Sequence, residues 1–218
     1  MNPAPPVMRT AFCTEPRTLL LCVTQTLDGT RDPPGGAFTE RGYLVRKHAV
    51  PRDAVEWALR HLHHDVVRNG LPADVLGTWL WSAHWFPHLR WDPPIVALAW
   101  FLPDELREGE MCDPQILLQP PDSCDDHPLE AHLDEEPQWA AGRRYRMIVG
   151  VALSPAHERN GGLVVWPFDT GEPEPLELEA GDAVVMHPRL PHSSGLNREG
   201  AIRYAVYFRF LERGTDGT

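Results

Sequence analysis

The sequence predicts an α+β protein that is mainly β, with a helical N-terminal third packed on an all-β C-terminal half. Three observations predict it. Twenty-three Pro and 17 Gly in 218 residues break the chain too often for a helical bundle. Helical spacing of apolar residues is clear only in the first third. After Pro114, short apolar and β-branched runs alternate with turn residues, the pattern of a sandwich or barrel. Helices that cover one face of an antiparallel sheet complete the layers.

The elements follow in order. Residues 1–36 are an N-terminal extension, rich in Pro and Gly at both ends, with one strand predicted at Thr18 to Thr26 (TLLLCVTQT). Tyr43 to Val45 reads as a short strand. Pro51 in a first turn, with Val55, Leu59, Leu62 and Val66 at helical spacing, predicts a helix over Asp53 to Val67. Residues 72–101 are Trp-rich and punctuated by Pro, a mix of short helix and loop expected to wall the mouth of a pocket. Strands are predicted at Gln115–Gln119, His132–Asp134, Tyr145–Leu153, Gly162–Trp166, Ala183–Met186 and Ile202–Phe210. The organisation expected is one domain over 37–212, helical in 48–108 with a β core in 114–211, then a flexible tail at 213–218.

Charge excludes several functions. Twenty basic against 31 acidic residues leave a net charge of −11. A nucleic-acid binder needs a basic stripe. Anionic membranes and coenzyme A thioesters are disfavoured on the same ground, which leaves a small molecule as the expected partner of a monomer or homodimer. No apolar run approaches the ~20 residues of a membrane span, and no signal peptide is expected. Cys13, Cys22, Cys112 and Cys124 lack metal-finger spacing and read as reduced thiols of a cytoplasmic protein.

Three residues and an arginine carry the chemistry. On a strand, His132 and Asp134 project to one face while Leu133 faces away. His192 lies sixty positions after His132, and Arg203 follows eleven positions later on the next strand. The turn Asn197-Arg198-Glu199-Gly200 is expected to join the two as a hairpin, so that His192 and Arg203 open into one interior. Two His and one carboxylate form the facial triad of non-haem Fe(II) oxygenases, which leaves three coordination sites. A 2-oxo acid can fill two and oxygen the third. A buried Arg needs an anion: either the distal carboxylate of that acid or a nearby Asp or Glu.

At these residues the chain resembles the phytanoyl-CoA dioxygenase family of Fe(II)/2-oxoglutarate oxygenases. The resemblance runs from FTERGYLVRKHAVP through QILLQPPDS, His132-x-Asp134 and Asn160-Gly161-Gly162-Leu163 to GDAVVMHPRLPHSSGLN and Arg203. It implies a double-stranded β-helix, the cupin-like jelly roll, with N-terminal helices packed on one sheet. It implies that His132, Asp134 and His192 ligate iron. Arg203 and Ser194 would then hold the distal carboxylate of 2-oxoglutarate, with Gln119 near the cosubstrate and O2 as the oxidant. The loop after the Asn-Gly turn reads WPFDT instead of the family's P-G-S-H, and the short chain implies trimmed lids. Halogenating relatives lack the carboxylate ligand, so the intact Asp134 points away from halogenation, to hydroxylation or another oxidation such as desaturation or cyclisation. The expected reaction is hydroxylation of an unactivated C–H in a small metabolite, a biosynthetic tailoring step.

Two rivals stand beside this reading. One is a cupin-like metal-dependent isomerase or oxygenase that uses no oxo acid and needs no Arg203. The other is a non-catalytic jelly-roll binding module. Other residues carry weaker signals. His187 competes with His192 as ligand. His61, His63 and His64 read as a solvated helix face, and His84 and His88 as loop or core. Asn160-Gly161 reads as a turn. Trp139 and Trp166 are candidate substrate contacts, with a packed-core role as the equal alternative. Arg143, Arg144 and Arg146 read as solvated strand-end charges.

Overall fold

The structure is a computed structural model that describes residues 35–70, 80–81, 89–107, 109–121, 131–134 and 144–212. The strand expected at Thr18 to Thr26, most of the Trp-rich segment with His84 and His88, Trp139, Arg143, three of the four cysteines and the tail lie outside the described residues.

Helix α1 (Gly35–Arg41) leads through Gly42 into strand β1 (Tyr43–Arg46). Pro51 caps helix α2 (Arg52–Asn69) from an extended conformation, φ −60°. Asp53 in the first turn and Arg68 in the last complement the helix dipole. Gly70 ends the helix at φ 74°, its N–H bonded to the Val66 carbonyl. Ala54, Val55, Ala58 and Leu62 make the buried face. Strand β2 (Leu80–Trp81) and helix α3 (Pro93–Phe101) follow. His61 departs from the expected solvated face. It is half-buried, with Nε2 2.7 Å from Asp92 Oδ2, which ties α2 to the start of α3. His63 and His64 are exposed.

The β half comprises β3 (Glu110–Gln119), β4 (Tyr145–Ala152), β5 (Leu163–Val165), β6 (Glu174–Pro175), β7 (Ala183–Met186), β8 (His192–Ser194) and β9 (Arg203–Leu211). They form two antiparallel sheets. The larger runs β1-β7-β4-β9-β3-β2, the smaller β6-β5-β8.

Strand β9 explains the layers. All nine of its residues are buried because both faces of the large sheet are covered. Tyr204, Val206, Phe208 and Phe210 join Leu62, Ile95 and Leu98 of the helices in one core. Ala205 and Tyr207 face the other way, into a second core with Leu163, Val165, Leu176 and Leu178. The period of two thus assigns Arg203, Ala205, Tyr207 and Arg209 to the space between the sheets.

The expected hairpin between His192 and Arg203 is not formed. β8 belongs to the small sheet and β9 to the large one, so the Asn197–Gly200 turn carries the chain from one sheet to the other. Asn197 bridges Asn160 instead. Its side-chain amide donates to the Gln119 and Ala201 carbonyls at 2.9 and 2.8 Å, which fixes that crossing. The two residues still face one interior, from opposite walls.

Asp182, at the start of β7, holds a corner of the fold. Its side chain is fully buried and accepts from Lys47 Nζ, the His48 N–H and the Glu179 N–H, each at 2.8 Å. Burial raises its pKa, but the Lys47 bond and the two amide bonds prevail and hold it below the usual carboxylate range. Asp182→Ala strands these donors and is expected to cost about 2–4 kcal/mol in chemical denaturation. A depressed pKa contributes stability above the unfolded value, which is lost as the pH falls through the folded value. Wild type should therefore lose stability below about pH 4, and Asp182→Asn should flatten that limb of the curve.

Candidate metal centre

His132 and Asp134 do not form a full strand. His132 pairs with His192 as an isolated antiparallel bridge, with both backbone bonds made, at 3.0 and 3.1 Å. The Asp134 N–H donates to the Pro188 carbonyl at 3.0 Å. The segment lies along the free edge of β8, and its period of two sets His132 and Asp134 toward the cavity. Leu133 between them is 43% exposed, as alternation requires.

One ligand atom from each of His132, Asp134 and His192 lies within 4.8 Å of the others. That spacing suits one metal ion. The His192 Nδ1 sits 3.0 Å from the Leu190 carbonyl. A carbonyl only accepts, so Nδ1 carries the proton and Nε2 is left with its lone pair. Burial pulls the His192 pKa down, favouring the neutral ring that a metal needs. Burial alone would raise Asp134, but the Arg209 cation, together with His192 and His132, holds its carboxyl below the usual range.

Arg209 is the residue that the sequence reading missed. It is 5% exposed, and its Nη2 donates to Asp134 Oδ2 at 2.6 Å. Its signal was the even spacing from Arg203 along β9, which puts both on the interior face. With Ser194, Tyr207, Leu117 and Leu163 it lines the cavity that holds the three clustered residues.

Arg203 faces the same interior four residues before Tyr207. It is 2% exposed, and no acid among the described residues pairs with it. Its Nε donates to Gln119 Oε1 at 3.0 Å, and its Nη2 is buried with no partner among the described residues. Burial lowers its pKa, and the neighbouring Tyr207 hydroxyl acts in the opposite sense. Gln119 stands opposite Arg203 in the β3–β9 register. Its Nε2 donates to the Gly195 carbonyl at 2.5 Å, which turns Oε1 toward the guanidinium. Gly161 lies against that amide at φ 79°, where a Cβ would strike the Gln119 side chain. Asn160 serves the turn as expected, donating to the Pro155 carbonyl at 2.8 Å.

Other candidates fall elsewhere. His187 packs between Phe38 and Phe168, away from the cluster. Trp166 is half-buried and follows β5 with the parity of Val164, opposite to Leu163, and is not among the cavity-lining residues. Trp91 packs against the helical core. Arg144 is exposed and Arg146 half-buried, neither at the cavity. Among the described residues, no helix is long and apolar enough to cross a membrane.

The phytanoyl-CoA dioxygenase family matches the sequence over residues 83–205, more than half of the chain and inclusive of the cluster and Arg203. The chain belongs to the phytanoyl-CoA dioxygenase family. This is a family of Fe(II)/2-oxoglutarate-dependent enzymes. Solved structures place the fold among its jelly rolls. The α-ketoglutarate-dependent carbocyclase SnoK from nogalamycin biosynthesis aligns with a TM-score of 0.57 at 16% identity, covering 81% of each chain. The epimerase SnoN, in complex with Fe3+, α-ketoglutarate and nogalamycin RO, gives 0.56 at 17% identity over 84% of this chain and 89% of its own. A Pseudomonas putida prolyl-4-hydroxylase gives 0.53 at 19% identity over 81% and 96%. A search of curated proteins gives no match. At such identities these likenesses establish the phytanoyl-CoA dioxygenase fold of the chain and leave its reaction to the site.

Proposed function

We propose that this phytanoyl-CoA dioxygenase family member is an Fe(II)/2-oxoglutarate-dependent oxygenase that hydroxylates an unactivated C–H bond of a small metabolite. His132, Asp134 and His192 would hold the iron. Arg203, aided by Ser194 and by Gln119, would hold the distal carboxylate of 2-oxoglutarate. The observation that carries the reading is the Arg203 guanidinium, fully enclosed with a free Nη2 and no acid among the described residues to neutralise it. A buried cation in that state calls for an anion from outside the chain. The donor set supports the same reading: two imidazoles and one carboxylate with open positions suit Fe(II).

Bound together, Fe(II), 2-oxoglutarate and O2 supply the oxidation of a C–H bond with release of succinate and CO2. The chain supplies the rest. Gln119 orients Arg203 so that the free nitrogen meets a carboxylate oxygen. Leu190 keeps the His192 proton on Nδ1. Leu117 and Leu163 add apolar surface to the cavity lining, which disfavours water there. The intact Asp134 would take the position that a halide needs, which disfavours halogenation. The cupin-like rival without an oxo acid gives the free Nη2 of Arg203 nothing to do.

The test is a panel of small metabolites incubated with Fe(II), 2-oxoglutarate and 18O2, read by mass spectrometry. Succinate formed together with a product carrying one labelled oxygen is the expected result. Succinate with an isomerised or cyclised product lacking the label would overturn hydroxylation and keep the cofactor set.

A further inference from the structure

We propose that Arg209 is a second carboxylate-reading residue, which holds Asp134 by one oxygen and offers its other nitrogen to the keto-end carboxylate of the 2-oxo acid. The proposal rests on the functional reading above. It concerns a residue four positions beyond the end of the family match.

Three observations carry it. Arg209 is buried, yet only part of its fork is used. Nη2 donates to Asp134 Oδ2 at 2.6 Å, while Nη1 is buried with no partner among the described residues. A guanidinium offers parallel N–H groups, so a half-used fork beside a metal cluster has one donor left for an anion. The side chain lines the cavity that also holds His132, Asp134 and His192, and its carbon lies over the Tyr145 ring at 5.8 Å from the centroid. The cation is therefore held at the cluster and not at the surface.

Spacing separates its task from that of Arg203. Six residues along one strand face set the two Cα atoms about 20 Å apart, and of the two only Arg209 lines the cavity of the cluster, so the two cations address different carboxylates. A dicarboxylate has one group for each. Charge points the same way. A guanidinium on Asp134 opposes a bare dication in the cluster, and an arriving carboxylate relieves that repulsion. The Asp134 oxygen that Arg209 holds is also the one 4.0 Å from His192 Nε2, so Arg209 fixes the carboxylate that would ligate the metal.

The test uses 2-oxopentanoate, which keeps the keto-end carboxylate and lacks the distal one. Fe(II)-loaded protein is titrated without oxygen and the visible charge-transfer band gives the affinity. Arg209→Gln should bind 2-oxopentanoate at least about tenfold more weakly than wild type. Arg209→Lys keeps the cation without the fork and should fall between, about threefold weaker. An Arg209→Gln protein within about twofold of wild type would overturn the role. If that variant does not fold, by circular dichroism, Arg209→Lys decides alone, and wild-type affinity there overturns the role. A wild type without a band even at saturating 2-oxoglutarate defeats the functional reading and this role with it, whereas a wild type that gives the band with 2-oxoglutarate and none at any concentration of 2-oxopentanoate defeats only this role. A wild-type band with an indifferent Arg209 variant defeats only this role.

Discussion

His132→Ala is expected to abolish succinate formation from 2-oxoglutarate, and Asp134→Ala should do the same with an added loss of stability. Each variant removes one of three ligand atoms that lie within 4.8 Å of one another. Two ligands cannot hold the ion in a facial arrangement, so iron binding should fall as well, measurable by metal content after dialysis. The two variants differ in what they leave behind. Asp134 is also the partner of Arg209, and its removal strands a buried guanidinium. That should cost about 3 kcal/mol in denaturant unfolding. His132→Ala leaves the Arg209 pair intact and should unfold close to wild type. Succinate formation that survives in His132→Ala would mean that the ligands are misassigned.

Arg203→Met is expected to weaken 2-oxoglutarate binding about 100-fold while iron stays bound. A charge-assisted bond from a buried cation to a carboxylate is worth roughly 3 kcal/mol, and each 1.4 kcal/mol is about tenfold. The sign on stability should be opposite. Without cosubstrate, Arg203 is an enclosed cation whose Nη2 has no partner among the described residues. A methionine of similar length removes that penalty, so the variant should unfold at an equal or higher temperature than wild type in the absence of 2-oxoglutarate. Added 2-oxoglutarate should then raise the melting temperature of wild type and leave that of Arg203→Met almost unmoved. Equal cosubstrate affinity in the two proteins would remove Arg203 from the site.

What the sequence made legible follows the range of each signal. Alternation is local, so His132 and Asp134 could be set on one face with Leu133 outward, and β9 could be bounded to within a residue at each end. Helical spacing placed α2 for the same reason. The pairing of sheets is not local. Turn residues at 197–200 mark a reversal but carry nothing about which sheet receives the next strand, and the hairpin reading failed there. Strands β6 and β8, of two and three residues, are too short to show a period. Arg209 was in reach through its even spacing from Arg203, yet its partner lies 75 positions away, on a segment joined to β8 by a single bridge. His61 looked solvated because its helix face was judged alone, without the Asp92 that the start of α3 brings against it. The Gly161 contact with Gln119 had no sequence signature beyond the turn itself.

The most direct test of the central claim is the visible spectrum of the protein with Fe(II) and 2-oxoglutarate under anaerobic conditions. A chelated 2-oxo acid on a two-His, one-carboxylate iron gives a weak charge-transfer band, which should appear with wild type and be absent from His132→Ala. Wild-type protein that binds iron and shows no band at saturating 2-oxoglutarate would contradict the account.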